Sequence, residues 1–259
     1  MRFNLPVLVY QEKNCVHNHA DEIAQMGKNA LIVTGRNSSK KNGSLDDVIN
    51  ALKSKNIKYT VYDGVEENPS VETVMEAREI GVKAGCDFII GIGGGSPMDA
   101  AKAIGVMIYH KNENKDFLYK SVSNSQSLPV IEVPTTCGTG SEVTTVAVLT
   151  VHNEKTKKSM SHRIFPRMAL VDEKYIKNAP LKVICDTAID ALAHIVESCI
   201  NNNATEYSKM FAKEGLEAWS KFKDVLLGNR EATDEDFHNM MYASTLAGMC
   251  IAHAGTSLP

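Results

Sequence analysis

Two stretches of the sequence carry residue types and spacings that could do chemistry. The first is Gly91-Ile92-Gly93-Gly94-Gly95-Ser96-Pro97, which follows the apolar residues 88–90 and leads into Met98-Asp99-Ala100-Ala101-Lys102. A strand ends, four glycines fall within five residues, and a helix begins. Glycine lets the backbone approach a ligand closely, and a helix N-terminus offers free N–H groups to an anion. Ser96 is expected at the N-cap and Pro97 in the first turn, where a missing N–H costs nothing. The combination suits a pyrophosphate. It is not G-x-G-x-x-G, and no Gly-Lys-Ser/Thr follows, so an NTPase loop is excluded. The second stretch is 186–198. Asp186, Asp190, His194 and Ser198 recur every four residues and therefore share one side of a helix. An Asp and a His four apart can hold one divalent cation between them, or simply hydrogen-bond to each other. Two ligands do not complete a site. On spacing alone His253, in an apolar, glycine-containing helix end, is the leading third candidate.

A third polar stretch, Pro134-Thr135-Thr136-Cys137-Gly138-Thr139-Gly140-Ser141-Glu142, follows another apolar run. Its hydroxyls and glycines could line the same crevice as the first loop, because strand carboxyl ends gather on one edge of a parallel sheet.

The elements that must position these residues follow from periodicity. Residues 30–34, 59–62, 88–92 and 129–133 are short apolar, largely β-branched runs. Residues 45–55 and 71–85 have helical spacing between them, with a helix cap expected at Ser44. Continuous apolar strands alternating with amphipathic helices predict a mostly parallel sheet covered by helices. Residues 143–151 and 168–171 predict two further strands, forming a hairpin or a small extra sheet. The run 155–158 is expected to be a solvated loop. Beyond residue 179 only helices are predicted, at 182–200, 205–227 and 234–253, with Asp234 as the last N-cap. The helix at 182–200 is expected to be largely buried, since Ile189, Leu192, Ile195 and Val196 occupy its other faces. The expected architecture is an α/β nucleotide-binding domain over 1–179, followed by the first part of an all-α domain over 180–259.

Composition narrows the classes. Of 259 residues, 43% are hydrophobic and 23% charged, with 28 Lys+Arg against 31 Asp+Glu and a net charge of −3. That is a globular balance, with no support for a nucleic-acid or membrane partner. No apolar run approaches the ~18 residues of a membrane span, and no secretory leader is recognisable. Six scattered cysteines without a C-x-x-C pair argue for a reducing, cytoplasmic setting.

Residues 93–99, 134–144 and Asp190-Ala191-Leu192-Ala193-His194, with Glu67-Asn68-Pro69, Phe165-Pro166 and Val171-Asp172, resemble the iron-containing, group III alcohol dehydrogenases, in the expected order along the whole chain. The resemblance implies the dehydroquinate synthase-like fold, an α/β nucleotide domain followed by a helical metal-binding domain. It implies hydride transfer between NAD(P) and a small alcohol or aldehyde, with iron(II) or zinc as Lewis acid. It places Gly94, Gly95 and Ser96 on the pyrophosphate with Asp99 beside them. Thr135, Thr136 and Thr139 fall on the nicotinamide side, Lys158 near the ribose, Asn68 near the adenosine, and Asp190 and His194 as the first two metal ligands. Dimers are common in the family, so a homodimer is expected at full length. A glycerol dehydrogenase-like enzyme and a non-catalytic nucleotide-binding fragment are the alternatives.

Two departures from the family pattern carry further expectations. Many relatives have an Asp where Gly35 stands; without that acid, and with Ser38, Ser39 and basic residues nearby, NADP is expected over NAD. The segment 247–259 matches the approach to the third ligand, which the resemblance places beyond Pro259, so His253 is not the ligand on that register. The chain is therefore expected to be a fragment with an incomplete helical domain, lacking the last metal ligands and with little or no dehydrogenase activity.

Overall fold

The computed structural model describes residues 4–256. In chain order the elements are β1 (Leu8–Gln11), α1 (Cys15–Asn18), α2 (Ala20–Ala24), β2 (Asn29–Gly35), α3 (Ser38–Lys41), α4 (Ser44–Ser54) and β3 (Lys58–Val65). Then come α5 (Val71–Ala84), β4 (Phe88–Gly93), α6 (Gly95–Tyr109), β5 (Val130–Pro134), β6 (Val148–Val151), β7 (Thr156–Ser159) and β8 (Met168–Val171). Three long helices follow: α7 (Leu181–Ile200), α8 (Glu206–Leu226) and α9 (Asp234–Ala254).

Six strands form one parallel sheet in the order β1-β8-β5-β4-β2-β3. Residues of alternating parity feed its two faces. Leu31, Val33 and Ile89 pack with α5 and α6, while Ala30, Ile32, Ile90 and Ile92 pack with α1, α2 and α4. Burial on both faces explains why these strands read as unbroken apolar runs. The chain leaves β2 for β3 on one side and returns to β4 on the other. The switch point therefore lies between β2 and β4, and a crevice opens at their carboxyl ends.

Several expectations are corrected. β8 is not part of a hairpin with 143–151; all four of its residues are buried, and it enters the main sheet between β1 and β5. The partner of β6 is β7, which lies in the run expected to be a solvated loop. β1 carries no clear strand signal in the sequence, because LVYQ is short and only half buried. Ser96 does not cap α6: Gly94 does, and Ser96 lies in the first turn. Gly43, not Ser44, precedes α4. Thr233, not Asp234, caps α9, in a capping box closed by Asp236.

The three long helices pack on one another around Ile184, Ala188, Ala191, Ile195, Phe222, Met240 and Ala247. Trp219 Nε1 donates to the Ala188 carbonyl at 2.7 Å, tying α8 to α7. α9 is buried along most of its length, whereas α7 is not: Ile189 and Val196 are 54% and 46% exposed, against the expectation of a buried helix. Among the described residues no helix is long and apolar enough to cross a membrane.

Candidate functional site

The two glycine loops meet at the carboxyl edge of the sheet. Thr135 N–H donates to the Gly93 carbonyl at 2.8 Å, holding the end of β5 against the end of β4. A Cβ on Gly95 would stand 2.8 Å from Thr139 Cγ2, and one on Gly94 3.0 Å from Thr136 Oγ1. The expected pyrophosphate loop and the expected nicotinamide-side loop are thus in direct contact. The Ser96 hydroxyl accepts from Asn68 N–H at 3.1 Å, bringing Asn68 to the same helix start.

The second loop also reaches the helical half. Gly138 lies so close to α7 that a Cβ would be 2.8 Å from the Thr187 carbonyl and 2.9 Å from Asp190 Oδ2. Gly140 has φ +57 and no room for a side chain, since its Cβ would meet Gly248 Cα of α9 at 2.4 Å. Thr245 Oγ1 of α9 donates to Glu142 Oε1 at 2.8 Å. Residues 138–142 are therefore wedged between the sheet and both helices.

Asp190 and His194 face this wedge from α7. His194 Nε2 is 3.8 Å from Asp190 Oδ1, and Nδ1 donates to the Gly138 carbonyl at 3.3 Å. A backbone carbonyl on Nδ1 leaves the Nε2 lone pair available, the arrangement expected of a metal-binding histidine. The donor set fits a divalent cation as far as it goes, but no group of three or more His, Cys, Asp or Glu able to hold a metal occurs among the described residues. The other two members of the four-residue repeat do not join in. Asp186 pairs with Lys182, and the buried Ser198 hydroxyl donates to the Ile195 carbonyl. A cavity of about 670 Å3 is lined by Gly95, Asp99, Thr139, Asp190 and His194 together, and His253 also borders it. His253 Nδ1 hydrogen-bonds the Met249 carbonyl at 2.8 Å.

A second cavity, of about 310 Å3, runs along the other side of the glycine loops. It is lined by Asn37, Ser38, Lys41, Gly94, Thr135, Thr136 and Val183, among others. Of the residues expected near the adenosine ribose, Ser38 faces it. Ser39 does not: it is fully buried and accepts from Thr34 Oγ1 at 2.8 Å. Gly35 ends β2 beside Val65 of β3. No acid lies near Gly35 in the local sequence, but β3 brings Asp63 alongside. Asp63 pairs with Lys40, and that ammonium holds its carboxyl below the usual carboxylate range. Lys158 turns to Glu154 and lies 5.7 Å from the centre of the Tyr119 ring. Its neighbour Lys157 is the one that donates to Asn68 Oδ1, at 2.8 Å. Lys157 is the more exposed of the two; alternation along β7 sends adjacent side chains to opposite faces, so a one-residue offset decides which lysine reaches Asn68.

Asp99 is an anchor for the second loop. Its carboxylate accepts from Ser141 Oγ at 2.7 Å and from Val148 N–H at 2.8 Å. Burial holds its carboxyl above the usual range, against the opposing pull of Lys102. Lys102 itself was not singled out in the sequence, yet it is fully buried beneath this loop.

A glycine-lined cleft on a parallel sheet, facing a helix that carries an Asp–His pair, defines a two-part α/β and helical fold, and known proteins share it. Residues 6–173 match the family described as "Iron-containing alcohol dehydrogenase", and residues 184–258 match "Fe-containing alcohol dehydrogenase family, C-terminal". The chain is 33% identical over 261 residues to the NADPH-dependent butanol dehydrogenase of Clostridium saccharobutylicum, covering 98% of this chain and 65% of that protein. It is 35% identical over 234 residues to the 1,3-propanediol dehydrogenase of Citrobacter freundii, covering 88% of this chain and 59% of the relative. The crystal structure of an iron-containing alcohol dehydrogenase from Thermotoga maritima superposes with a TM-score of 0.92 at 39% identity, over 98% of this chain and 70% of that one. The chain belongs to the iron-containing alcohol dehydrogenase family. It spans about 56–65% of the length of these curated relatives.

Proposed function

We propose that the protein, at its whole length, is a metal-dependent alcohol dehydrogenase or aldehyde reductase that exchanges a hydride between NADP and a small alcohol or aldehyde. The observation that carries this reading is the shared 670 Å3 cavity, which has Gly95 and Thr139 on one wall and Asp190 and His194 on the other. In this reading Gly94, Gly95 and Ser96 hold the pyrophosphate at the start of α6. Thr135, Thr136 and Thr139 orient the nicotinamide, and Asn68, held by Lys157, borders the nucleotide. Asp190 and His194 are two ligands of a divalent ion, iron(II) or zinc. When bound, that ion supplies a Lewis acid for the alcohol or aldehyde oxygen. The wedge at 138–142 sets the distance between cofactor and substrate by packing against α7 and α9. The division falls at 179/180, just before α7, and a cytoplasmic homodimer remains the expectation for the whole protein.

NADP preference is supported by Gly35 in place of an acid and by Lys41 at the second cavity. Asp63 weakens the case from Lys40, whose charge it partly neutralises. Fluorescence titration of this chain with NADPH and NADH tests the reading. Tighter NADPH binding is expected, and equal or tighter NADH binding overturns the preference. A second reading, nucleotide binding without turnover by these 259 residues, is favoured by the two-ligand donor set. Metal-dependent aldehyde reduction by this chain would exclude it.

A further inference from the structure

Glu132 lies in the middle of β5, fully buried, with both carboxyl oxygens lacking any hydrogen-bond partner among the described residues. A buried carboxylate needs a paired cation or several donors. Glu132 instead fills an alcove made by small residues: a Cβ on Gly91 of β4 would be 2.2 Å from Glu132 Oε2 and 2.8 Å from Ala101 Cβ of α6. Its register partners on the neighbouring strands are Gly91 and Ala169, neither of which titrates. The charged groups that face it are Lys102 and Asp99 from α6 and Glu142 from the turn after Gly140.

Lys102 is the cation of this cluster, and its bonds point toward the loop. Lys102 Nζ donates to Ser141 Oγ at 2.6 Å and to the Val146 carbonyl at 2.8 Å, and lies 3.7 Å from Asp99 Oδ1. One ammonium thus serves three carboxyl groups. Asp99 has Ser141 and Val148 as donors, and Glu142 has Thr245. Glu132 has none and is the group best suited to keep its proton; burial pushes its carboxyl well above the ordinary glutamate value.

We propose that Glu132 is a positioning residue: as a neutral acid it leaves Lys102 committed to Asp99 and the 141–146 loop, and so holds the wall of the cleft in place. Ionised Glu132 would compete for Lys102 and loosen that wall. The importance of the wall rests on reading the cleft as the cofactor site. The sign of the pH effect follows. The folded chain keeps a proton that the unfolded chain loses near 4.5. Stability therefore falls as pH rises from there toward the raised folded value, and stays lowered above it.

Glu132→Gln keeps the shape without the charge. Its Tm is expected within about 1 °C of wild type at pH 5 and about 3 °C higher at pH 8, with a flatter profile between. Glu132→Ala leaves a void and lowers Tm throughout, but with the same flattened slope relative to wild type. The infrared difference spectrum of wild type minus Glu132→Gln at pH 7 is expected to show the carbonyl stretch of a protonated acid. NADP+ affinity is expected to weaken less between pH 5 and pH 8 in Glu132→Gln than in wild type. A carboxylate band at pH 7, or Tm profiles that run parallel, would overturn the proposal. If NADP+ binds neither protein, the cofactor reading fails, while the infrared and Tm results still decide the state of Glu132.

Discussion

Gly35 is a position where one side chain should decide which nucleotide fits. A Cβ there meets only the Val65 carbonyl, at 3.5 Å, an ordinary contact. Gly35→Asp can therefore enter without displacing backbone. Its carboxylate would accept from a ribose 2′-OH and repel a 2′-phosphate. NADP+ affinity is expected to fall by about tenfold or more, a loss of about 1.4 kcal/mol, with NAD+ unchanged or tighter. An equal loss for both nucleotides in the same titration would count against this assignment. Gly138→Ala is the opposite case, because its Cβ would collide with the fixed Thr187 carbonyl as well as with Asp190. A destabilisation of about 1–3 kcal/mol is expected in urea unfolding, with the loop pushed off α7. Residues of this kind were only partly legible in the sequence. The glycine loop and the Asp190–His194 pair are local patterns and could be read directly. Burial of Ser39, the arrival of Asp63 from β3 and the bond from Lys157 to Asn68 depend on neighbours distant in sequence, so spacing could not reveal them.

At the scale of elements, the box at the start of α9 invites a direct test. Thr233 Oγ1 accepts from Asp236 N–H at 3.3 Å, and the Asp236 carboxylate accepts from Thr233 N–H at 2.8 Å. Arg230 grips the same carboxylate with both guanidinium nitrogens, at 2.6 and 2.7 Å, and holds it well below the usual aspartate range. Thr233→Ala is expected to cost about 1 kcal/mol, seen as a Tm lowered by about 2–4 °C. For Asp236 the folded value is depressed, so its contribution is complete above the unfolded value, near 3.9, and fades as pH falls through the lower folded value. Asp236→Asn should thus be destabilising at pH 7, and the gap to wild type should shrink toward pH 2; a constant gap across that range would refute the ion-pair account. The helices around such boxes were legible because 20-residue amphipathic patterns outlast errors at their ends. The short strands were not. β8 could be recognised as a strand, but nothing local says that four buried residues belong between β1 and β5 rather than in a hairpin.

At the scale of the whole molecule, α7, which carries Asp190 and His194, has one side unpacked. Ile184, Ala188, Ala191 and Ile195 of α7 are buried in the helical core, while Ile189, Val196 and Ile200 are exposed, as is Met210 on α8. α9 keeps its core contacts, and the open apolar surface belongs chiefly to α7 and α8. This stripe adjoins the face that carries Asp190 and His194, so the exposed apolar surface and the Asp–His pair occupy the same part of the molecule. A divalent ion held by two side chains on one helix binds weakly. With a Kd on the order of 100 μM and 100 μM ion, linkage supplies about 0.4 kcal/mol, a Tm shift of about 1 °C. Zinc titration of this chain is therefore expected to move Tm by no more than that, and Asp190→Ala or His194→Ala should abolish the movement. A shift of about 5 °C at one equivalent would mean that the chain already gathers further ligands around the pair. A small shift that survives both substitutions would place the ion elsewhere and remove the pair from the site.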